Sequence, residues 1–240
     1  MVINTRVHNI CGRLKIPVSS TLALLFIMNS TSSQQRPETG IWSAINLHVN
    51  ISKQWQWHND AGYRTLGISV DPLQFLYRTG IRYNFNRQTS TAGGIASFFT
   101  KTNFDKSQHE FGSEFRFWEE IVHQQALNKK LQLLLRFRAE QRFFAATSVK
   151  NKYTGHRFRI RSGFNHKLSE KWSLQLADEY MRQVADEKFS FDQNRLAFSG
   201  IYHFNRSAQI QGGYMWVKWP GSHQHILTFT FTKVVSLNGK

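Results

Sequence analysis

From Arg136 onward the chain places a charged residue at every second position: Arg136, Arg138, Glu140 and Arg142, then, after a polar stretch, Arg157, Arg159 and Arg161. Side chains of a β-strand alternate between its two faces, so this spacing predicts two neighbouring strands with all of these charges on one face. Leu133, Leu135, Phe137, Ala139 and Phe143 interleave with the first set, and Phe158, Ile160 and Phe164 with the second. One face is ionic and the other is greasy. A soluble sheet hides its greasy face under a second layer, but here the pattern recurs along nearly the whole chain. That constrains the fold to a sheet with lipid outside and a polar lumen inside.

The same alternation marks eleven segments, at 41–51, 55–68, 74–86, 91–103, 112–126, 130–145, 155–167, 171–184, 193–205, 208–219 and 223–234. Segment 113–127 also carries Trp118, Val122 and Ala126 at helical spacing, but its neighbours favour a strand. Short turns repeat: Ile51 to Trp55 matches Leu168 to Trp172, and Phe85-Asn86-Arg87 matches Phe204-Asn205-Arg206. Trp55 and Trp172 then begin strands at an aromatic girdle. Polar stretches at 104–111, 146–154 and 185–192 read as longer loops. Leu227, Phe229 and Phe231 alternate with Thr228, Thr230 and Thr232 in a last strand that can close the sheet, as lipid demands. Single-chain bacterial barrels usually have an even strand number. The expectation is therefore an all-β, antiparallel transmembrane β-barrel of 10 or 12 strands, with short periplasmic turns and longer outer loops.

The N-terminal residues have the composition of an export signal. Arg6, Arg13 and Lys15 precede an apolar run from Thr21 to Met28, and small polar residues from Ser30 to Ser33 offer a cleavage site. The run is too short to span a bilayer as a helix, which needs about 20 residues. The organisation read from this is a signal peptide at 1–33, a short extension at 34–39, a barrel at 40–235 and a tail at 236–240. Cleavage removes Cys11, the only cysteine, so the mature chain has no disulfide or thiolate chemistry. It leaves 28 basic against 15 acidic residues, a charge of +13. The basic residues are spread along strands and turns rather than gathered on a patch, which argues against nucleic acid as partner. Expected partners are outer-membrane lipid and the outer-membrane assembly machinery, around a monomer in the outer membrane of a Gram-negative bacterium.

Gly40-Ile41-Trp42, the Ser52 to Trp55 and Ser169 to Trp172 turns, Arg136 to Phe143 (RFRAEQRF) and Phe191 to Arg195 (FDQNR) together resemble domain-of-unknown-function family 2490. The resemblance spans about residues 38 to 235. It implies an outer-membrane β-barrel, and it supplies no catalytic residue and no cofactor.

Aligning strands through their turns predicts a charge ladder on the lumen face: Arg116, Glu140, Arg159, Glu179 and Arg195, alternating in sign over five neighbouring strands. Such a row fills and stiffens a narrow barrel, because buried ions are tolerated when paired. The further arginines Arg136, Arg138, Arg142, Arg157 and Arg161 form the alternative, an anion-attracting lumen. The function read from this is a structural or narrow anion-passing role, and the rival is a lipid-modifying or lipid-hydrolysing enzyme. For the rival, His48 and His58 face each other across the 51–55 turn with Asp60 one step beyond, but no serine nucleophile or third metal ligand completes them. No cofactor or metal is expected. His223 and His225 fall at a loop mouth, Tyr83, Tyr202 and Tyr214 face the interface or lipid, and Gly93-Gly94 and Gly212-Gly213 mark bends or close contacts.

Overall fold

The computed structural model describes residues 38–102, 110–148, 150–185 and 187–237. The expected export signal, most of the 34–39 extension, the centre of the 104–111 loop and the end of the tail lie outside them. The described elements are all strands: β1 (Glu38–Asn50), β2 (Trp55–Thr65), β3 (Pro72–Asn84), β4 (Thr89–Lys101), β5 (Phe111–Ala126), β6 (Leu131–Phe144), β7 (Tyr153–Lys167), β8 (Trp172–Ala185), β9 (Lys188–Asn205), β10 (Ala208–Trp219) and β11 (Ser222–Ser236). Each strand pairs with its sequence neighbours, and β11 closes on β1.

The barrel therefore has eleven strands, not 10 or 12, and is not wholly antiparallel. The β1–β11 pair is parallel, from Glu38 against Gln224 to Asn50 against Ser236. An even count follows only if both ends of the barrel lie on one side. Here β1 enters at the end that holds the longer connections, and the alternation itself had marked eleven segments. The predicted loop at 185–192 is also mostly strand. β8 and β9 meet across residues 186–187, with Glu187 in a left-handed conformation (φ 61°). Conversely, 66–71 forms a connection where a strand was expected to run to residue 68.

Register fixes the barrel's width. Following the pairings once around, from Leu131 through His166, Leu174, Gly200, Gly212, Phe229, Ser43, Tyr63, Phe75, Phe99 and Ser113, leads back to Ala145, just past the end of β6 and 14 residues beyond the start. Eleven strands with that stagger tilt by about 41° and form a cylinder of radius about 11 Å. A strand of 13 residues, such as β1, then spans about 32 Å along the axis.

Polarity is inverted relative to a soluble protein. Phe117, Phe137 and Ile160 are 52%, 47% and 60% exposed on the outer wall, whereas inward Arg116, Arg138 and Glu140 are 6%, 3% and 4% exposed. At the short-turn end, the Ser52 and Ser169 hydroxyls each accept backbone N–H bonds from the two residues that close the turn, and Asn86 and Asn128 do the same with their side-chain oxygens. These four turns share one side-chain-capped geometry. The Asn205 turn is tighter, with β10 starting at Ala208, so its sequence likeness to Asn86 does not carry over into shape. Trp55–Tyr83–Phe85 and Trp172–Tyr202–Phe204 form two ring clusters beside these turns.

Two glycines give the wall room for a large inward ring. Gly80 and Gly94 are paired across β3 and β4. A Cβ on Gly94 would lie 2.1 Å from the Thr79 carbonyl oxygen, and one on Gly80 would lie 2.5 Å from the Trp118 ring. Trp118 lies against this smooth strip, its indole N–H donating to the Ile95 carbonyl at 3.2 Å.

Candidate functional site

The lumen holds one continuous web of charge built on four glutamates. Glu120 accepts from Arg138 Nε and Nη2 at 2.9 and 2.6 Å and from Arg82 at 3.2 Å, with Arg136 at 3.8 Å. Glu179 holds Arg159 through two bonds of 3.1 and 2.9 Å, pairs with Arg136 and lies 3.7 Å from Arg195. Glu140 bridges Arg116 and Arg159 at 3.0 and 2.7 Å. Glu114 takes Arg116 and Arg142 at 2.6 and 2.5 Å. Every one of these glutamates is nearly buried. Each therefore depends on its partners, because an isolated buried carboxylate is heavily penalised.

Arg116, Glu140, Arg159, Glu179 and Arg195 thus form a connected chain of ion pairs. Only Glu179 and Arg195 are directly opposite one another. In the other three steps the expected register is off by two: Arg116 faces Arg142, Glu140 faces Arg157, and Arg161 faces Glu179. The ion pairs survive that shift because diagonal neighbours on one face remain within reach of long side chains. Of the further arginines, Arg136, Arg138, Arg142 and Arg157 are all ion-paired. Among the described residues Arg161 bonds only the Gln175 side-chain oxygen, at 3.2 Å, and its Nε is buried without a partner.

A β-bulge supplies the fifth acid of the web. Met181 pairs with Gln193 but Arg182 with Phe191, so Asp192 is the extra residue of β9. Both Asp192 and Gln193 are buried. A bulge breaks strict alternation. Asp192 can therefore lie 2.7 Å from Arg157 on β7, across β8. Gln193 accepts from Arg195 Nε at 2.8 Å. The two sequence stretches RFRAEQRF and FDQNR are thus one physical object, the polar wall of the lumen. Residues 39–223 match the profile of the proteins of unknown function termed DUF2490. The chain belongs to that family. No curated protein matches it.

Members of the web that sequence reasoning missed are Arg82, Glu114, Glu120 and Asp192, beside the separate pair of Arg78 with Asp60 (Nε to Oδ2, 2.5 Å). All but Asp192 sit at regular inward positions and could have been found by extending the alternation into β2, β3 and β5. The web contains eight arginines and five carboxylates. Arg64, Arg78, Arg161 and Asp60 bring the inward totals among the described residues to eleven and six. Inward aromatic rings face part of the excess: Arg116 lies 3.6 Å from the Phe98 centroid, Arg138 4.9 Å and Arg78 5.6 Å from that of Trp118. A ring face attracts a cation without adding charge.

His48 and His58 do face each other, with ring centroids 4.1 Å apart. His58 contacts the Gln56 side-chain oxygen, and Asp60 is engaged by Arg78 rather than by either histidine. No group of three or more metal-ligating side chains occurs among the described residues. His225 accepts from or donates to the Tyr214 hydroxyl at 2.6 Å beside His223, at the start of β11.

The web lines part of the interior. A cavity of about 780 Å³ opens toward the longer connections and is bounded by Arg116, Arg136, Arg159 and Glu179. A second, of about 510 Å³, lies among the short turns near Lys129, Lys171 and Arg206. The two share no lining residue.

Proposed function

We propose that this protein spans the outer membrane of a Gram-negative bacterium as a barrel sealed at its waist, after export directed by residues 1–33. It serves as a structural barrel whose residual permeation favours anions. The observation that carries this reading is the inverted polarity: a wall of Phe, Ile, Leu and Tyr outside, and a buried Arg/Glu web inside. In water that outer wall would be an aggregation surface; in lipid it is the stable arrangement. The axial span of about 32 Å matches a hydrocarbon layer of about 30 Å. The web supports occlusion, because its buried, ion-paired side chains occupy the lumen. An excess of five inward arginines over inward carboxylates supports anion preference in whatever leaks through.

The mature chain has no cysteine, so single labels can be introduced cleanly. Nitroxide-labelled Phe137→Cys should be accessible to oxygen dissolved in lipid and shielded from a water-soluble relaxation agent. If the label at 137 is instead water-accessible in liposome-reconstituted protein, the membrane reading fails. Planar-bilayer recording tests the seal: stable high-conductance openings would refute it, and small anion-favouring currents or silence fit it.

A further inference from the structure

Among the described residues, one inward cation belongs to no ion pair and lies against an indole ring whose own N–H is unpartnered. Arg64 on β2 lines the larger cavity and has no carboxylate or hydrogen-bond acceptor among the described residues. Its guanidinium lies 3.8 Å from the centroid of the Trp42 ring. Arg195 lies 5.0 Å from the same ring, held by Gln193 and only loosely by Glu179 at 3.7 Å. The indole Nε1–H of Trp42 is itself buried and unpartnered. Two guanidinium groups drawn to one indole repel each other, and a buried N–H without an acceptor is destabilising. Stability alone favours neither feature. An acceptor with negative charge, seated between them, would satisfy both.

The surroundings narrow the ligand. The cavity lining also includes apolar Leu73, Leu76, Phe98, Met215 and Trp219, beside polar Gln74, Thr100, Ser222, His223 and Gln224. Met215 belongs to a buried cluster against which Trp42 and Trp219 pack. A hydrated inorganic anion gains nothing from such walls. A carboxylate carried on an apolar body gains from both, its head on cations that form planar, two-donor contacts and its body against rings.

We propose that the vestibule is a binding site for amphipathic carboxylates, with Arg64, Arg195 and the Trp42 indole N–H holding the carboxylate. The site stands on the cavity itself and not on whether the barrel conducts. Its test therefore uses mature protein refolded in detergent, with benzoate as probe, benzyl alcohol as neutral isostere and acetate as the anion without a body. Binding is read by calorimetry and by the indole N–H resonance of Trp42.

Benzoate should bind at least tenfold more tightly than either control and move the Trp42 resonance. Arg64→Gln should weaken benzoate binding at least tenfold while raising the urea midpoint of the ligand-free barrel, because it removes an unpaired inward cation. A purely structural residue would lower both. Arg182→Gln, at a guanidinium that rests on Phe189 near the β8–β9 turn, should leave binding unchanged. The proposal is overturned if benzoate does not bind, if it binds equally to Arg64→Gln, or if acetate binds as tightly as benzoate.

Discussion

Glu140→Gln is the sharpest perturbation of the lumen, since it keeps the side chain's shape and removes one charge from the centre of the web. Glu140 contacts Arg159 at 2.7 Å and Arg116 at 3.0 Å, with Arg138 and Arg157 both at 3.9 Å. At an effective dielectric of about 20, each of the two close pairs represents about 6 kcal/mol of attraction before desolvation. Most of that is offset by taking the ions out of water, and breaking a buried pair from one side costs about 3–5 kcal/mol net. Here the abandoned partners are not left alone, because Arg116 retains Glu114 and Arg159 retains Glu179. The expected loss therefore lies at the low end, about 3 kcal/mol. Urea unfolding of the reconstituted barrel, followed by the mobility difference between folded and unfolded forms on gels, measures it. Combining the change with Arg159→Gln should cost less than the sum of the singles, with a coupling of about 1–3 kcal/mol. A loss below about 1 kcal/mol, or additivity within error, would refute the claim that the web acts as one connected unit.

Gly94→Ala should destabilise by at least about 1–3 kcal/mol, since its Cβ would meet the Thr79 carbonyl oxygen at 2.1 Å; the same unfolding assay checks it. Glu119 is an exposed carboxylate on the outer wall between outward Phe117 and Ile121, so Glu119→Leu should stabilise the barrel in lipid by roughly 1–2 kcal/mol and not do so in a polar detergent. Outside the strands, the Ser148 hydroxyl and amide and the Thr102 hydroxyl hold the Glu110 carboxyl below its usual value of 4.5. Because the folded value is depressed, this tie between the β4–β5 and β6–β7 connections is fully present above pH 4.5 and is lost as pH falls through the lowered value. Protease cleavage in those connections should rise on acidification, and Glu110→Gln should abolish that pH dependence.

The alternation of Arg136 to Arg142 against Leu133 to Phe143 was enough to define the sheet, its two faces and the content of the lumen, because period two is a property of every strand. Strand ends were legible at the turns capped by Ser52 and Ser169. The 186–187 turn was not, because the polar run around it resembles a loop and the bulge at Asp192 breaks the alternation that would have marked it as strand. The five residues of the expected ladder are linked by ion pairs in the structure, but three of the four steps pair two residues away from the expected register, since a two-residue slip keeps every side chain on the same face and long side chains pair diagonally. Arg64 and Trp42 were not read as partners of Arg195 for a different reason. Nothing in a local pattern shows that a residue of β1, one of β2 and one of β9 meet; only closure does that.

Closure is also what ties the odd strand count to the vestibule. β1 and β11 are the two ends of the barrel, and their parallel seam is reinforced inside by Asn46 to Thr232 at 3.4 Å and Asn50 to Ser236 at 3.1 Å. Until that seam forms, Trp42 on β1 and Arg64 on β2 are separated from Arg195 by an open edge, and the carboxylate site does not exist. A ligand that needs all three therefore binds the closed barrel alone and stabilises it by mass action, about 2.7 kcal/mol at a hundredfold excess over its dissociation constant. Asn46→Ala and Asn50→Ala weaken the seam at positions remote from Trp42. Their expected effect is a lower urea midpoint that benzoate restores, with benzoate affinity unchanged once the barrel is closed. Loss of affinity in the folded variants would instead mean that the seam shapes the vestibule directly. Failure of benzoate to restore the midpoint would separate the site from closure.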